Sequence, residues 1–288
     1  MASPRMTTYW ITCADGLEVL LADELAELGA HEVSRSHGRL VIEGSLETAY
    51  RICLWSRLAS RVLLPIHSVP IKRQDVRDVA EELYEGARDF DWSLIFSPAS
   101  TFMVRLQAER GIKLNTQFAT LRVKDGVVDA FMDAQGRRPS IDTRQPEITL
   151  LAIAGMESHQ YCLDLSGDSL HRRGYRQIMT DAPIKENLAA AMLRQLGWHH
   201  KQHTVLCDPL CGSGTFVIEA LWMWLDHAPG LNRTFGFQGW HGHDHALWQL
   251  LRQEAHQRLL AGWERPLPRV YAYDADWEAV KATRQNVL

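Results

Sequence analysis

The spacing of apolar residues over positions 1–68 predicts alternating strands and short helices. The stretch Gly16–Leu28 places five leucines on one helical face, and shorter β-prone runs flank it. The predicted elements are, in chain order, strand 9–12, helix 16–28, strands 32–34 and 39–42, helix 46–58 and strand 61–66. This β-α-β-β-α-β order is that of the ferredoxin-like arrangement.

A second α/β unit is predicted over positions 69–166. Its strand Thr101–Gln107 alternates apolar and polar residues, as a half-buried strand does. A helix over Thr116–Met132 follows, and two strands at 147–154 and 160–165 complete the unit. The helix is expected to bury its apolar side chains, which are Phe118, Leu121, Val128 and either Phe131 or Met132.

The remaining chain has the pattern of a connector followed by an α/β domain. Residues 166–181 lack apolar periodicity, and Pro183 is expected to open a helix that ends at Leu196. The predicted elements beyond it are strand 204–207, helix 215–226, a polar helix over 246–260, strand 269–273 and a helix that continues to Leu288.

Composition narrows the class of protein. The chain has 288 residues, 46% of them hydrophobic, and a formal net charge of −4, which excludes a histone-like polycation. Apolar runs are far shorter than the ~20 residues of a membrane span, so no membrane association is expected. Five scattered cysteines without a CxxC pair favour reduced thiols in a cytoplasm. Positions 101–145 nevertheless carry eight Lys or Arg against five Asp or Glu, a local basic excess.

The most informative stretch is Val205–Thr215, VLCDPLCGSGT. A buried strand leads into Asp208, a turn with Gly212 and Gly214, and a helix, which is the usual ligand position in an open α/β sheet. No Lys follows Gly214, as a P-loop requires, and Val217 replaces the last glycine of a dinucleotide fingerprint. An acid without a phosphate-binding Lys suits a ligand that carries an ammonium and a sulfonium, such as S-adenosylmethionine.

A second acid, Asp274, follows the predicted strand 269–273. A carboxylate at that position can accept hydrogen bonds from both hydroxyls of a ribose. The alternative is a helix cap, but Asp276 is the better cap, which leaves Asp274 free for the ligand. Because 66 residues separate Asp208 from Asp274, an insertion is expected within residues 229–268.

Several blocks together resemble the THUMP-domain RNA guanine-N2 methyltransferases. The blocks DPLCGSGT, PIKENLAAAM, APGLNRTFGFQGW and YDADWEAVKATRQN carry this resemblance in the C-terminal part. GLEVLLADELAELGA, YRICLWSRLASRVLLP and NTQFATLRVKDGVVDAF are most similar to the bacterial 23S rRNA (guanine-N2)-methyltransferase branch. The resemblance covers nearly the whole chain.

The family resemblance implies four segments: a ferredoxin-like domain over 1–68, a THUMP RNA-binding domain over 69–166, a linker over 167–182 and an incomplete Rossmann-like methyltransferase domain over 183–288. The implied S-adenosylmethionine-binding residues are Asp208, Pro209, Cys211, Gly212, Gly214, Thr215 and Asp274. The expected RNA contacts are Arg105, Lys113, Asn115, Gln117, Arg122 and Lys124. The implied partner is RNA, 23S rRNA in particular, and no DNA is expected.

One departure from the family concerns catalysis. Its catalytic motif is an Asn/Asp-Pro-Pro-aromatic loop, and no Pro-Pro pair occurs in this sequence. No catalytic residue is therefore assigned; the motif is expected beyond Leu288, and the 288 residues alone are expected to be inactive. A non-catalytic RNA-binding module and a tRNA guanine-N2 methyltransferase remain alternatives.

Three further groups have two interpretations each. The basic face that includes Arg122 can contact RNA or be an ordinary solvated surface. Arg172, Arg173 and Arg176 can reach phosphate or solvate the linker. The alternating histidines of HGHDH, residues 241–245, could share a face as zinc ligands do, but no Cys or distant ligand pair accompanies them, and no metal is expected.

Overall fold

The computed structural model describes residues 6–36, 38–71, 78–178, 183–202 and 204–287. They form two compact units. The first comprises Met1–Val62, Ser169–Arg233 and His245–Leu288, and the second comprises Leu63–Asp168 and Thr234–Asp244. The first unit thus combines the N-terminal part of the chain with most of the C-terminal part.

The N-terminal part of the first unit has the predicted ferredoxin-like element order. Its elements are β1 (Thr7–Thr12), α1 (Glu18–Glu27), β2 (His31–Ser36), β3 (Arg39–Gly44), α2 (Leu46–Trp55) and β4 (Arg61–Pro70), which continues into the second unit. Strand β3 pairs antiparallel with both β1 and β2. Ser45 and Thr48 form a capping box that begins α2, because each side chain satisfies the other's backbone amide.

The second unit is a mixed sheet with two helices. Its further elements are α3 (Val79–Arg88), β5 (Thr101–Ala108), α4 (Thr116–Gln135), β6 (Ser140–Ile141), β7 (Ile148–Ala154) and β8 (Ser158–Asp164). The strand order is β4-β8-β7-β5-β6, with β5 parallel to β6 and β7 and the other neighbours antiparallel. Every residue of β7 is buried, which explains why its sequence is apolar at every position but Thr149.

One prediction about the inward face of helix α4 is wrong. Phe118 and Leu121 are about half exposed, at 49% and 51%, and Met132 is exposed as well. Val128 and Phe131 are buried, as predicted. The inward face is set by small side chains. A Cβ on Gly126 would lie 2.5 Å from the Tyr84 carbonyl oxygen of α3, so the two helices approach too closely for large residues at the contact.

The described residues of the C-terminal part of the first unit form four α-helices and a short parallel sheet of two strands. Its elements are α5 (Glu186–Gln195), β9 (Val205–Asp208), α6 (Thr215–Trp224), α7 (His245–Trp263), β10 (Arg269–Ala272) and α8 (Trp277–Val287). Helix α5 begins at Glu186, three residues later than predicted from Pro183. Strands β9 and β10 pair in parallel, with Asp208 opposite Ala272. No helix among the described residues is both long and apolar enough to cross a membrane.

A buried ionic network lies inside the first unit and resolves one of the open interpretations. Glu219 of α6 is fully buried, and its Oε1 lies 3.1 Å from Arg173 Nε and accepts a hydrogen bond from the Tyr175 hydroxyl at 3.1 Å. Arg57 Nη1 lies 3.8 Å from the other Glu219 oxygen, Oε2. Arg173 is 3% exposed, and its Nη2 donates to the Arg57 carbonyl at 2.6 Å. Arg173 is therefore buried against protein groups and does not solvate the linker.

Burial shifts the pKa values of two members of this network. It raises the pKa of Glu219, although the neighbouring guanidinium groups of Arg173 and Arg57 act in the opposite direction. It also lowers the pKa of Arg57 to about 10. A charge cluster of this kind is costly to break, because removing one partner leaves the others buried without compensation. The segment after α2, the connector and α6 are thereby joined.

Candidate cofactor site

The pairing of β9 with β10 brings the two predicted acids to one edge of the sheet. Beyond the last strand residues, Tyr273 N donates to the Asp208 carbonyl at 2.8 Å, and Cys211 N donates to the Tyr273 carbonyl at 2.8 Å. These bonds continue the parallel ladder into the loop that links β9 to α6, which we call the glycine loop (residues 209–214). The loop therefore starts at the carboxyl ends of two parallel strands, where ligands of α/β sheets bind.

Two glycines of this loop have a left-handed backbone, at the positions where the sequence predicts a turn. Gly212 has φ +53° and Gly214 has φ +86°, and Gly214 is the N-cap of α6. Gly214 is also in close contact with α8. A Cβ built on it would lie 3.0 Å from Thr283 Cγ2 and 3.3 Å from Thr283 Cα. Glycine is required at 214 on both grounds.

Helix α8 holds the glycine loop through two side chains that sequence reasoning missed. Thr283 Oγ1 donates to the Gly212 carbonyl at 2.8 Å, and Asn286 Nδ2 donates to the Ser213 carbonyl at 3.0 Å. Both residues are buried, at 6% and 7% exposure. Their spacing of three residues places them on one face of the helix, and this polar face beside a glycine turn is the signal that could have identified them.

Asp208 has an unused acceptor. Its Oδ1 accepts a hydrogen bond from Leu210 N at 3.1 Å, whereas Oδ2 is buried and has no partner among the described residues. Burial is the main cause of the raised pKa of Asp208, and the negative charge of Asp274 raises it further. A buried acceptor without a donor is costly, so a ligand that carries an ammonium or hydroxyl group fits this position.

Asp274 is not free, contrary to the expectation. Its Oδ2 accepts from Gly212 N at 2.9 Å and its Oδ1 from Asp276 N at 3.0 Å, and these amides lower the pKa of the carboxyl. Asp276 does cap α8, since its Oδ1 accepts from Glu278 N at 2.9 Å. Asp274 thus holds the glycine loop against the end of β10. Each of its oxygens keeps a second lone pair that a ribose hydroxyl could use.

Thr215 and Arg176 form a contact between the connector and the start of α6. Arg176 Nη2 donates to Thr215 Oγ1 at 2.9 Å and to the Ile184 carbonyl at 2.9 Å, and Nη1 lies 3.5 Å from a Glu186 oxygen. Arg176 therefore belongs to the support of the glycine loop and is not exposed for phosphate. Arg172 is exposed, so its two interpretations stay open.

The other predicted cofactor residues differ in exposure. Cys211 is buried, and its Sγ lies 3.4 Å from Thr283 Oγ1, whereas Pro209 is exposed. The structure thus places four of the predicted residues in the glycine loop, with Asp208 at the end of β9 before it, Thr215 at the start of α6 after it and Asp274 just beyond β10. Their role in cofactor binding stays a prediction.

The six predicted RNA-contact residues belong to the second unit and fall into two sets. Arg122 forms an ion pair with Glu81 at 2.6 Å and stacks over Tyr84, Lys124 pairs with Asp125, and Arg105 donates to the Gly167 carbonyl at 3.1 Å. The other three lie at or just before the first turn of α4 and are exposed; they are Lys113, Asn115 and Gln117. Asn115 also caps α4 by accepting from Phe118 N.

The histidine cluster shows no metal-binding arrangement. Within the described parts of the chain, no group of three or more His, Cys, Asp or Glu residues is arranged to hold a metal ion.

Three family models match successive parts of the chain. The RlmL ferredoxin-like domain matches residues 8–63, the THUMP domain matches 77–153, and the RMKL-like methyltransferase domain matches 173–288. The domain boundaries predicted from the sequence stay predictions, and residues 179–182 of the predicted linker lie outside the described residues.

Known relatives agree with these matches. The chain is 67% identical, over 99% of its length, to the ribosomal RNA large subunit methyltransferase K/L of Acinetobacter baumannii strain AYE. It spans 39% of that relative's length. Among solved structures, the putative methyltransferase SMU.472 complexed with SAH is 30% identical with a TM-score of 0.80, covering 99% of this chain and 72% of that one. A predicted N6-adenine-specific DNA methylase from Listeria monocytogenes is 28% identical with a TM-score of 0.80, covering 98% and 71%.

The fold and the glycine loop thus define a THUMP-containing protein with a methyltransferase-type α/β domain. The chain matches the RlmL ferredoxin-like, THUMP and RMKL-like methyltransferase domains in turn, and over nearly its whole length it is similar to a ribosomal RNA large subunit methyltransferase K/L, which confirms the resemblance drawn from the sequence.

We predict that the contact between Gly214 and Thr283 makes position 214 intolerant of a side chain. Gly214→Ala should lower the free energy of unfolding by about 2 kcal/mol or more, because strained backbone and overpacking add. Gly174→Ala is the matched control, since Gly174 has φ +87° with open space around it. It should cost only about 1 kcal/mol. Urea unfolding of both variants measures the difference, and equal losses would show that α8 does not constrain the loop.

Proposed function

We propose that the chain binds S-adenosylmethionine at the glycine loop. The carrying observation is the unpartnered, buried Oδ2 of Asp208 at the carboxyl end of a parallel strand, beside two glycines with positive φ. Asp208 would accept a hydrogen bond from the cofactor, and the second lone pairs of Asp274 would accept from its ribose. When bound, the cofactor supplies an electrophilic methyl group on a sulfonium. The SAH-bound neighbour supports this assignment.

The substrate we propose is RNA, with N2 of a guanine in 23S rRNA as the methyl acceptor. The name of the Acinetobacter relative and the THUMP match support the rRNA part. Guanine N2 is a weak nucleophile, so alignment of the amine with the methyl carbon carries the reaction. A paired base cannot reach such a loop, so the target is single-stranded or flipped out. Fixation of the glycine loop by Thr283, Asn286 and Asp274 serves that alignment.

The alternative functions are two methyltransferases with other target bases and one protein that binds RNA without methylating it. The Listeria neighbour is described as acting on adenine N6 of DNA, and a tRNA guanine is a further target class. A non-catalytic RNA-binding module would leave the glycine loop without a ligand. The orphan acceptor of Asp208 favours the cofactor-binding function over that module.

Binding of the cofactor depends, in this proposal, on Asp274. Asp274→Ala should raise the dissociation constant for S-adenosylmethionine about tenfold or more, since charge-assisted hydrogen bonds are lost from ligand and loop. Glu278→Ala removes an exposed carboxylate from the same helix start and should leave the affinity unchanged. Isothermal titration measures both. Unchanged affinity in Asp274→Ala would contradict the role of Asp274 in cofactor binding, and no binding by the parent chain would contradict the proposed cofactor site.

The 288-residue chain should bind the cofactor without transferring its methyl group. It has no Pro-Pro pair to supply the family's carbonyl acceptors and base-stacking aromatic. Incubation with radiolabelled S-adenosylmethionine and 23S rRNA should therefore label no nucleoside. Incorporated label would contradict inactivity, and digestion to nucleosides would then decide between N2-methylguanosine and N6-methyladenosine.

RNA binding is assigned to the start of α4. Lys113→Gln should weaken RNA binding and reduce the slope of log affinity against log salt by about 0.7, the value for one phosphate contact to a single strand. Lys281→Gln is the charge-matched control in the other unit, where Lys281 lies 3.6 Å from Glu278. Filter binding across a salt series measures both variants, and equal effects would argue against a localised contact.

A further inference from the structure

A polar cavity of about 250 Å³ lies in the first unit, and no residue of the glycine loop lines it. Its wall combines side chains of α1 and the end of α2 with side chains of α5, α6 and α7 and of the segments that follow α5 and α6. Its charged members include Arg57, Arg194, Lys201, Asp226 and Arg258. Because a water molecule occupies about 30 Å³ of liquid volume, the cavity has room for a small polar ligand with several waters.

The carboxylates of the wall are already engaged by other groups. Glu27 accepts from both terminal nitrogens of Arg194, at 2.8 and 3.3 Å. Asp226 accepts two hydrogen bonds from Arg258, at 2.9 and 3.1 Å. The third, Glu24, accepts from the Ser56 hydroxyl and from two backbone amides. No wall carboxylate is left over for a further cation.

Lys201 is the cation without a close counterion. No carboxylate in the described ranges lies within ion-pair distance of its ammonium group. Burial is the main cause of the lowered pKa of Lys201, and the guanidinium groups of Arg265, Arg258 and Arg57 act in the same direction, against Asp226. The wall thus holds a partly desolvated positive charge that an anion would stabilise.

The wall also has a donor without an acceptor. Trp55 Nε1 is buried, lacks a hydrogen-bond partner among the residues described and is a donor only. Arg57, by contrast, is already engaged, because its Nη1 lies 3.8 Å from Glu219 Oε2 and its Nη2 donates to the Trp222 and His227 carbonyls. Arg258 stacks over the Trp55 ring at 3.8 Å, which holds its guanidinium group beside the cavity. The chemistry of the wall is therefore short of acceptor atoms.

Two wall residues have a strained backbone. Lys201 has φ +58° and Asp226 has φ +57°, and they are the non-glycine residues with positive φ in the described parts of the chain. Such conformations cost about 1 kcal/mol or more each and persist where the surrounding structure imposes them, often at ligand sites. Here the strain places Lys201 and the Asp226–Arg258 pair on the same cavity.

We infer that this cavity is a binding site for a phosphate group, held by Lys201 with the guanidinium group of Arg258 and the indole N–H of Trp55. A phosphate supplies the negative charge and the acceptor oxygens that the wall lacks, and guanidinium groups match its geometry. The site shares no residue with the glycine loop, so it stands independently of the proposed function. The phosphate can belong to a free monoester or to the backbone of RNA.

The test uses the 288-residue chain with inorganic phosphate as the probe, at constant ionic strength set with chloride. Phosphate should shift the indole N–H resonance of Trp55, identified by its loss in Trp55→Phe. Lys201→Gln should weaken phosphate binding about tenfold or more. Lys281→Gln, which removes an exposed charge in the same unit, should bind phosphate as the parent does.

Two further arms distinguish the source of the phosphate. A nucleoside 5′-monophosphate is tested for binding in the presence of a short RNA that has no terminal phosphate. If the RNA does not compete, the site binds a free phosphate monoester. If the RNA competes, the site binds a backbone phosphate. Either result supports the site if Lys201→Gln weakens that binding about tenfold or more, as it should weaken the binding of inorganic phosphate. An unmoved Trp55 resonance, or equal affinities for Lys201→Gln and Lys281→Gln, would show a cavity filled by water only and overturn the inference.

Discussion

The parallel pairing of β9 with β10 is the constraint on which the candidate cofactor site depends. It sets Asp208 opposite Ala272 and lets the ladder continue for two more hydrogen bonds into the glycine loop. A shift of the β9–β10 register by one residue would move Asp274 away from the Gly212 amide, from which it accepts a hydrogen bond. The two acids differ in chemistry as a result. Burial leaves Asp208 with an unmet acceptor, whereas backbone amides already stabilise the negative charge of Asp274.

A second layer of polar contacts supports that pairing from inside the first unit. Glu219 contacts Arg173 and Arg57, while Arg176, three residues along the connector from Arg173, donates to Thr215 at the start of α6. The connector, which has no helix or strand of its own among its described residues, is therefore fixed by side-chain bonds. Removal of one partner from such a buried network is strongly destabilising, because the remaining charge stays buried without compensation.

Element order and the glycine loop could be predicted from the sequence because both have local signals. Apolar periodicity located the helices to within a few residues, and the glycine spacing identified positions 212 and 214 as turn residues. The inward face of α4 could not be predicted, since it depends on how closely Gly126 approaches α3. The buried contacts of Arg173 and Arg176 could not be predicted either, because a sequence does not show which carboxylate packs against a basic residue. Thr283 and Asn286 act across 71 and 73 positions of chain from their loop partners.

Asn286, in the last turn of α8, bonds in two directions at once. Its Nδ2 donates to the carbonyls of Ser213 and Ile178, and its Oδ1 accepts from the amides of Gln177 and Ile178. One amide side chain thus joins three segments that are far apart in the chain. Fraying of that final helical turn would free the connector and the loop together, so amide protons in all three places should exchange with solvent in a single cooperative opening rather than separately.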